Sequence, residues 1–201
     1  MTITDWYIIY SLTMPSSWLA FFISIVAVAI TLYLRFDKQL TSIFIDASLA
    51  FILVWKLSVI VTDFQTVLNQ PLSILYFNGG YVGVGMGTIA ALYVLFKANY
   101  LEPKNYRTFP LLMSSYYLFF MVLLNENNPA LEIFILATAL SALVLTWIGN
   151  QRLLLGVAVL LFFSTFFQPL GVFQPYTFLL IGVGIGIEVF IRFSTKKVVA
   201  T

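Results

Sequence analysis

The feature that most constrains this chain is a series of long apolar stretches. Residues 6 to 34 contain no charged side chain, and neither Lys nor Arg occurs in the five residues before them. This run is too long for the apolar part of a signal peptide, so we expect an uncleaved membrane span. A helix needs about 20 apolar residues to cross a hydrocarbon layer of about 30 Å. The whole chain suits a membrane, because 61% of its 201 residues are hydrophobic and 9% are charged.

Seven apolar stretches of 15 to 19 residues approach this length, so the sequence predicts an all-α polytopic bundle of about seven transmembrane helices. Together they form a single integral membrane domain over residues 1–201. The sixth stretch is short and is followed by Gln168, Pro169 and Gly171, so spans six and seven are either separate helices or a re-entrant pair. The predicted spans are residues 18–34, 43–61, 80–96, 109–124, 131–148, 153–167 and 175–191.

The charges between the spans predict their orientation, because Lys and Arg accumulate in cytoplasmic loops. The loops after spans two, four and six carry neither residue, whereas those after the other spans do. We therefore expect the N-terminus outside and the C-terminus in the cytoplasm. Residues 63–78, which are polar and interrupted by Pro71, should form an interfacial segment on the outer face. The basic loop residues are Arg35, Lys38, Lys97, Lys104, Arg107, Arg152, Arg192, Lys196 and Lys197.

Composition excludes several kinds of chemistry. The chain has no cysteine, which excludes disulfides and thiolate nucleophiles, and no histidine, the commonest acid–base group and metal ligand. We expect no cofactor and no metal site. The net charge is only +2, and no basic patch interleaved with aromatic residues indicates nucleic acid as a partner.

Glycines recur at helical spacing in two predicted spans. Gly79, Gly83 and Gly87 lie four residues apart and share one face of span three, and Gly182 and Gly186 repeat this spacing in span seven. Such a face lets a neighbouring helix approach closely. The alternative is a groove in which a lipid head group meets the N–H groups at the start of the helix.

Two ionisable residues interrupt span two, and such residues are functional candidates in a membrane. Asp46 and Lys56 are ten residues apart, about 15 Å along a helix, so they cannot pair. Asp46 is expected to make a polar contact near the cytoplasmic end. Lys56 either extends to the outer interface or forms an anion site with Asn78, Gly79 and Gly80.

Other polar residues of the spans are expected to be structural. Glu188 and Arg192 are four residues apart, which favours an ion pair at the end of a helix. We expect four tyrosines to lie in the aromatic belt at the membrane surface: Tyr76, Tyr81, Tyr116 and Tyr117.

A resemblance to a known family lies in residues 56–80, KLSVIVTDFQTVLNQPLSILYFNGG. This stretch resembles the connection between spans two and three of prolipoprotein diacylglyceryl transferases, where Arg-Leu, an aromatic loop, Asn-Pro-Leu-x-Ile and a Gly-Gly turn follow one another. The likeness extends over about the first 100 residues, through the outer segment with Pro15, the basic turn from Arg35 to Lys38 and the early Asp46. Seven spans with an external N-terminus is also the topology of that family.

The chain departs from the family at its functional residues. Val84 stands where the family has an essential histidine, Lys56 replaces an arginine, and the family's Gly-Arg-x-Gly-Asn-Phe signature has no counterpart. The resemblance thus implies a relative in the bacterial plasma membrane that binds an anionic phospholipid such as phosphatidylglycerol in an outer-leaflet cavity. Its catalytic activity would be absent or altered.

Other functions stay open at this point. An active enzyme of lipoprotein biosynthesis would transfer diacylglyceryl from phosphatidylglycerol to the cysteine of a lipoprotein precursor. A small transporter would use Asp46, Lys56 and Glu188 along a polar path. An interaction module would assemble with other membrane proteins through its glycine faces.

Overall fold

A computed structural model describes residues 6–9, 12–72, 74, 79–98, 103–124 and 129–148, and these residues are mostly helical. Predicted spans six and seven lie outside the described residues, together with Gly182, Gly186, Glu188 and Arg192. Two short strands pair antiparallel, with Trp6 opposite Pro15. The elements are β1 (Trp6–Ile9), β2 (Leu12–Pro15), α1 (Ser16–Arg35), α2 (Lys38–Leu57), α3 (Val59–Thr62), α4 (Phe64–Asn69), α5 (Gly80–Lys97), α6 (Pro103–Leu124) and α7 (Pro129–Ile148).

Among the described residues, three helices are long and apolar enough to cross a membrane. They are Ser16–Arg35, Lys38–Thr62 and Gly80–Lys97, the second of which runs through α2 and α3. The apolar parts of α6 and α7 are shorter, at Leu112–Leu124 and Glu132–Leu145. Long apolar segments become helices because lipid offers no partner for backbone N–H and C=O groups, which a helix satisfies internally.

The helix ends differ from the predicted spans where polar residues continue the helix. α6 begins at Pro103, six residues before the predicted start of span four, since proline suits the first turn of a helix. α4 lies in the segment expected at the membrane interface, and the carboxylate of Asp63 accepts a hydrogen bond from the Thr66 N–H at its start. Phe64 and Leu68, four residues apart on α4, are both exposed.

Small side chains line the contact between α1 and α6. Ala20 packs with Tyr117 and Met121, and Ser17 and Ser24 are also buried on α1. Small residues at this spacing let helix backbones approach each other. The closely spaced buried residues of α1 are Ser17, Ala20, Ser24, Val28 and Thr31.

Tyr116 and Tyr117 do not belong to the aromatic belt. The hydroxyl of Thr31 donates to the Ala27 carbonyl at 2.9 Å, so the Tyr116 hydroxyl, 2.6 Å away, donates to Thr31. Tyr117 is 3% exposed and lies in the bundle core. The belt prediction was wrong for these two because α6 directs them towards α1. Tyr81 on α5 is exposed, and Tyr76 lies outside the described residues.

The strand hairpin attaches to one end of the helix bundle, where α1 begins, α2 ends, α5 begins and α6 ends. There the Tyr7 hydroxyl donates to the carbonyl of Leu124, the last residue of α6, at 3.0 Å. We call this the Trp18 end, after the tryptophan at the start of α1. At the opposite end, a core cluster joins α1, α2, α5 and α6 through Leu32, Leu40, Leu95 and Phe109.

Candidate functional site

Four aromatic rings join α1 and α2 near the Trp18 end. The Trp18 and Trp55 rings meet edge to face, with centroids 5.2 Å apart, and Phe51 stacks on Trp55 at 6.1 Å. Phe21 lies 5.6 Å from Phe51. Spacings of three and four residues put each pair of rings on one face of its helix. Edge-to-face and offset contacts of this kind add specificity to apolar packing, so the cluster fixes α1 against α2 at this level.

The ammonium of Lys56 lies over this cluster. Its Nζ atom is 4.3 Å from the centroid of the Trp18 ring and 5.6 Å from that of the Trp55 ring. Both distances fall within the range of a cation–π interaction. The side chain is half-buried, so the positive charge sits against two indole rings at the Trp18 end.

The glycine face of α5 contacts the same part of α2. A Cβ atom at Gly83 would collide with the Ser58 hydroxyl and lie 3.1 Å from the Trp55 carbonyl oxygen. A Cβ atom at Gly87 would lie 2.9 Å from the Phe51 carbonyl oxygen. These are contacts between backbones, which a larger residue cannot make without separating the helices.

The start of α5 brings two further predicted residues to this end. Gly79 is buried, and a Cβ atom there would collide with the hydroxyl of Ser58, two residues after Lys56. Gly80 has a φ of +55°, a conformation that favours glycine, and an added Cβ atom would meet nothing within 4 Å. Gly79 thus lies in the helix contact, whereas Gly80 borders open space. Asn78 lies outside the described residues.

Two buried side-chain polar atoms at the Trp18 end have no hydrogen-bond partner among the described residues. They are the Ser17 hydroxyl oxygen and the Trp55 indole nitrogen Nε1. Trp55 Cδ1, which is bonded to Nε1, lies 3.2 Å from the position of a Cβ atom at Gly83, so the indole N–H lies at the contact of α2 with α5. Ser17 lies on the buried face of α1 that also carries Ala20 and Ser24. Leaving such a group unpaired costs about 1–3 kcal/mol.

Sequence reasoning missed the two tryptophans as part of the site. The sequence offered one local indication of Trp55, which directly precedes Lys56 and lies three residues before Ser58. Their arrangement depends on Trp18, which is 37 positions earlier in the chain and meets Trp55 only when α1 packs on α2.

Groups suited to catalysis are scarce in the described part of the chain. Val84, at the position of the family's histidine, is a half-buried apolar residue of α5 whose carbonyl accepts a hydrogen bond from the Thr88 hydroxyl at 2.8 Å. Asp63 is exposed and caps α4. No group of three or more Asp or Glu residues capable of holding a metal ion occurs within the described ranges.

Comparison with known proteins finds no relative. No family model, no curated protein and no solved structure matches this chain. The likeness to diacylglyceryl transferases therefore stays a prediction. The chemical properties of the Trp18 end therefore follow from its own residues: one cation, two indole rings and an open glycine turn.

Proposed function

We propose that this protein is a multi-pass protein of the bacterial plasma membrane that binds an anionic phospholipid at the Trp18 end and whose diacylglyceryl transfer is absent or altered. Phosphatidylglycerol is the ligand implied by the family resemblance. The observation that carries the proposal is the Lys56 ammonium over Trp18 and Trp55, in a helix long enough to span the membrane.

The depth of Lys56 suits a lipid head group. It lies six residues before the end of Lys38–Thr62, about 9 Å along the helix. The flexible stem of a lysine extends its charge towards the interface, where tryptophan rings also accumulate. A phosphate diester at this level would meet the ammonium, while its acyl chains remain among apolar residues.

The start of α5 would complete the site. Gly80 opens α5, and the dipole of this helix favours an anion at its start. The open space beside Gly80 would admit the head group.

Two departures from the family support the proposal of absent or altered transfer. Transfer to a thiol requires a base that removes its proton, and Val84 cannot serve as one. Lys56 also lacks the planar fork with which arginine binds two phosphate oxygens. The loop charges favour seven spans with the N-terminus outside, which would put the Trp18 end at the outer leaflet.

Lipid retention tests the proposal. We expect Lys56→Met, purified in mild detergent, to lose most of the phosphatidylglycerol that native mass spectrometry detects on the wild-type protein, since methionine keeps the side-chain length but not the charge. Lys97→Met is the matched control, because Lys97 is an exposed lysine at the other end of α5. Equal retention in wild type, Lys56→Met and Lys97→Met would refute a site at Lys56.

A further inference from the structure

Asp46 lies on an exposed face of α2, away from the lipid site proposed above. It has no hydrogen-bond or ion-pair partner within the described part of the chain. Asp46 follows Lys38, the first residue of α2, by eight residues, about 12 Å along the helix. The hydrocarbon core is about 30 Å thick, so this carboxylate lies inside the span, in the half nearer Lys38. Such a position is costly in lipid and usually indicates a function.

An apolar ridge continues from Asp46 along the same face. Leu49, Leu53 and Leu57 follow it by three, seven and eleven residues, and they are 52%, 58% and 48% exposed. This spacing is that of helices that pack side by side. The opposite face of α2, with Phe44 and Trp55, already packs within the protein.

Charge decides what can cover this face. Lipid chains leave the carboxylate without a partner. A second copy inserted in the same orientation and packed through the same face would bring another Asp46 against it, and two like charges repel. Ionisable side chains inside membranes typically pair with groups of opposite charge.

We propose that this face of α2 docks a transmembrane helix of another membrane protein, one that carries Lys or Arg at the level of Asp46. The three leucines would pack against the apolar side chains of that helix. The basic side chain would form a charge-assisted hydrogen bond with the Asp46 carboxylate, a strong interaction in a medium of low dielectric constant. This inference is independent of the lipid site.

A designed helix tests the charge recognition. The protein is reconstituted in phosphatidylcholine vesicles with labelled oligoleucine helices that carry Arg, Leu or Glu at one central position, and association is measured by energy transfer. We expect the Arg helix to associate about tenfold more strongly than the Leu helix. Asp46→Asn should abolish this preference, whereas Asp46→Lys should transfer it to the Glu helix. Asp63→Asn, outside the span, is the matched control and should keep the preference for Arg.

Equal association of all three helices, or a preference for Arg that persists in Asp46→Asn, would overturn the proposal. The natural occupant is then tested with a photo-crosslinking amino acid at Leu53 in native membranes. A crosslink to a membrane span that contains Lys or Arg supports the proposal. Crosslinks to a second copy, to residues 149–201 of the same chain or to lipid alone overturn it, because the face would then have another occupant.

Discussion

Replacing Gly87 with alanine tests the close contact between α2 and α5. The new Cβ atom would lie 2.9 Å from the Phe51 carbonyl oxygen and 3.0 Å from a carbon of its ring. The carbonyl belongs to a helix and cannot turn aside, so the helices have to separate. Overpacking of this kind costs about 1–3 kcal/mol. Alanine also stabilises a helix by about 1 kcal/mol relative to glycine, which partly offsets the destabilisation.

Gly85→Ala is the control, because it carries the same gain in helix propensity from glycine to alanine. Gly85 lies in the same helix, and a Cβ atom there meets nothing within 4 Å. The stability difference between the two variants therefore reports packing alone, and we expect Gly87→Ala to be less stable by about 1–3 kcal/mol.

The free energy of unfolding is measured by denaturant titration in mixed micelles. A difference of this size changes the equilibrium constant by about 5- to 150-fold, which such a titration resolves. Equal stabilities of Gly87→Ala and Gly85→Ala would show that α5 does not approach the backbone of α2 at this point, and the reasoning about the glycine face would fail.

Two further predictions concern topology and chemistry. Because the chain contains no cysteine, single cysteines report accessibility without background. Cysteines at Asn69 and Asn127 should react with a membrane-impermeant reagent in intact cells, and one at Asn105 should not; labelling at Asn105 alone would reverse the orientation. The protein should also fail to rescue cells depleted of their own diacylglyceryl transferase, because Val84 supplies no base. Rescue, measured as growth and lipoprotein maturation, would identify an active enzyme with a different base.

The helices were the most predictable part of the fold. Span one was predicted at 18–34 and α1 covers Ser16–Arg35; span three was predicted at 80–96 and α5 covers Gly80–Lys97. Apolar length determines these elements, because only a helix satisfies its own backbone within lipid. The strand hairpin escaped prediction, since its residues form part of the same uncharged run as α1.

The sequence by itself determined that the chain has helices suited to a membrane, the positions of the long helices in the described residues and the residues that interrupt their apolar character. These follow from local properties: length, hydropathy and the spacing of glycines and charges. Lys56 was therefore identifiable as a candidate from its position in span two. Its neighbours in space were not, because sequence periodicity does not specify which helices pack together.

Only the tertiary structure decided that α1 packs on α2 and α6, and that α2 packs on α5. This arrangement brings Trp18 over Lys56, places the Trp55 N–H beside Gly83 and buries Tyr117. It also leaves Asp46 exposed. Each of these outcomes depends on contacts between residues far apart in the chain, whose side-chain shapes and polar groups must fit simultaneously.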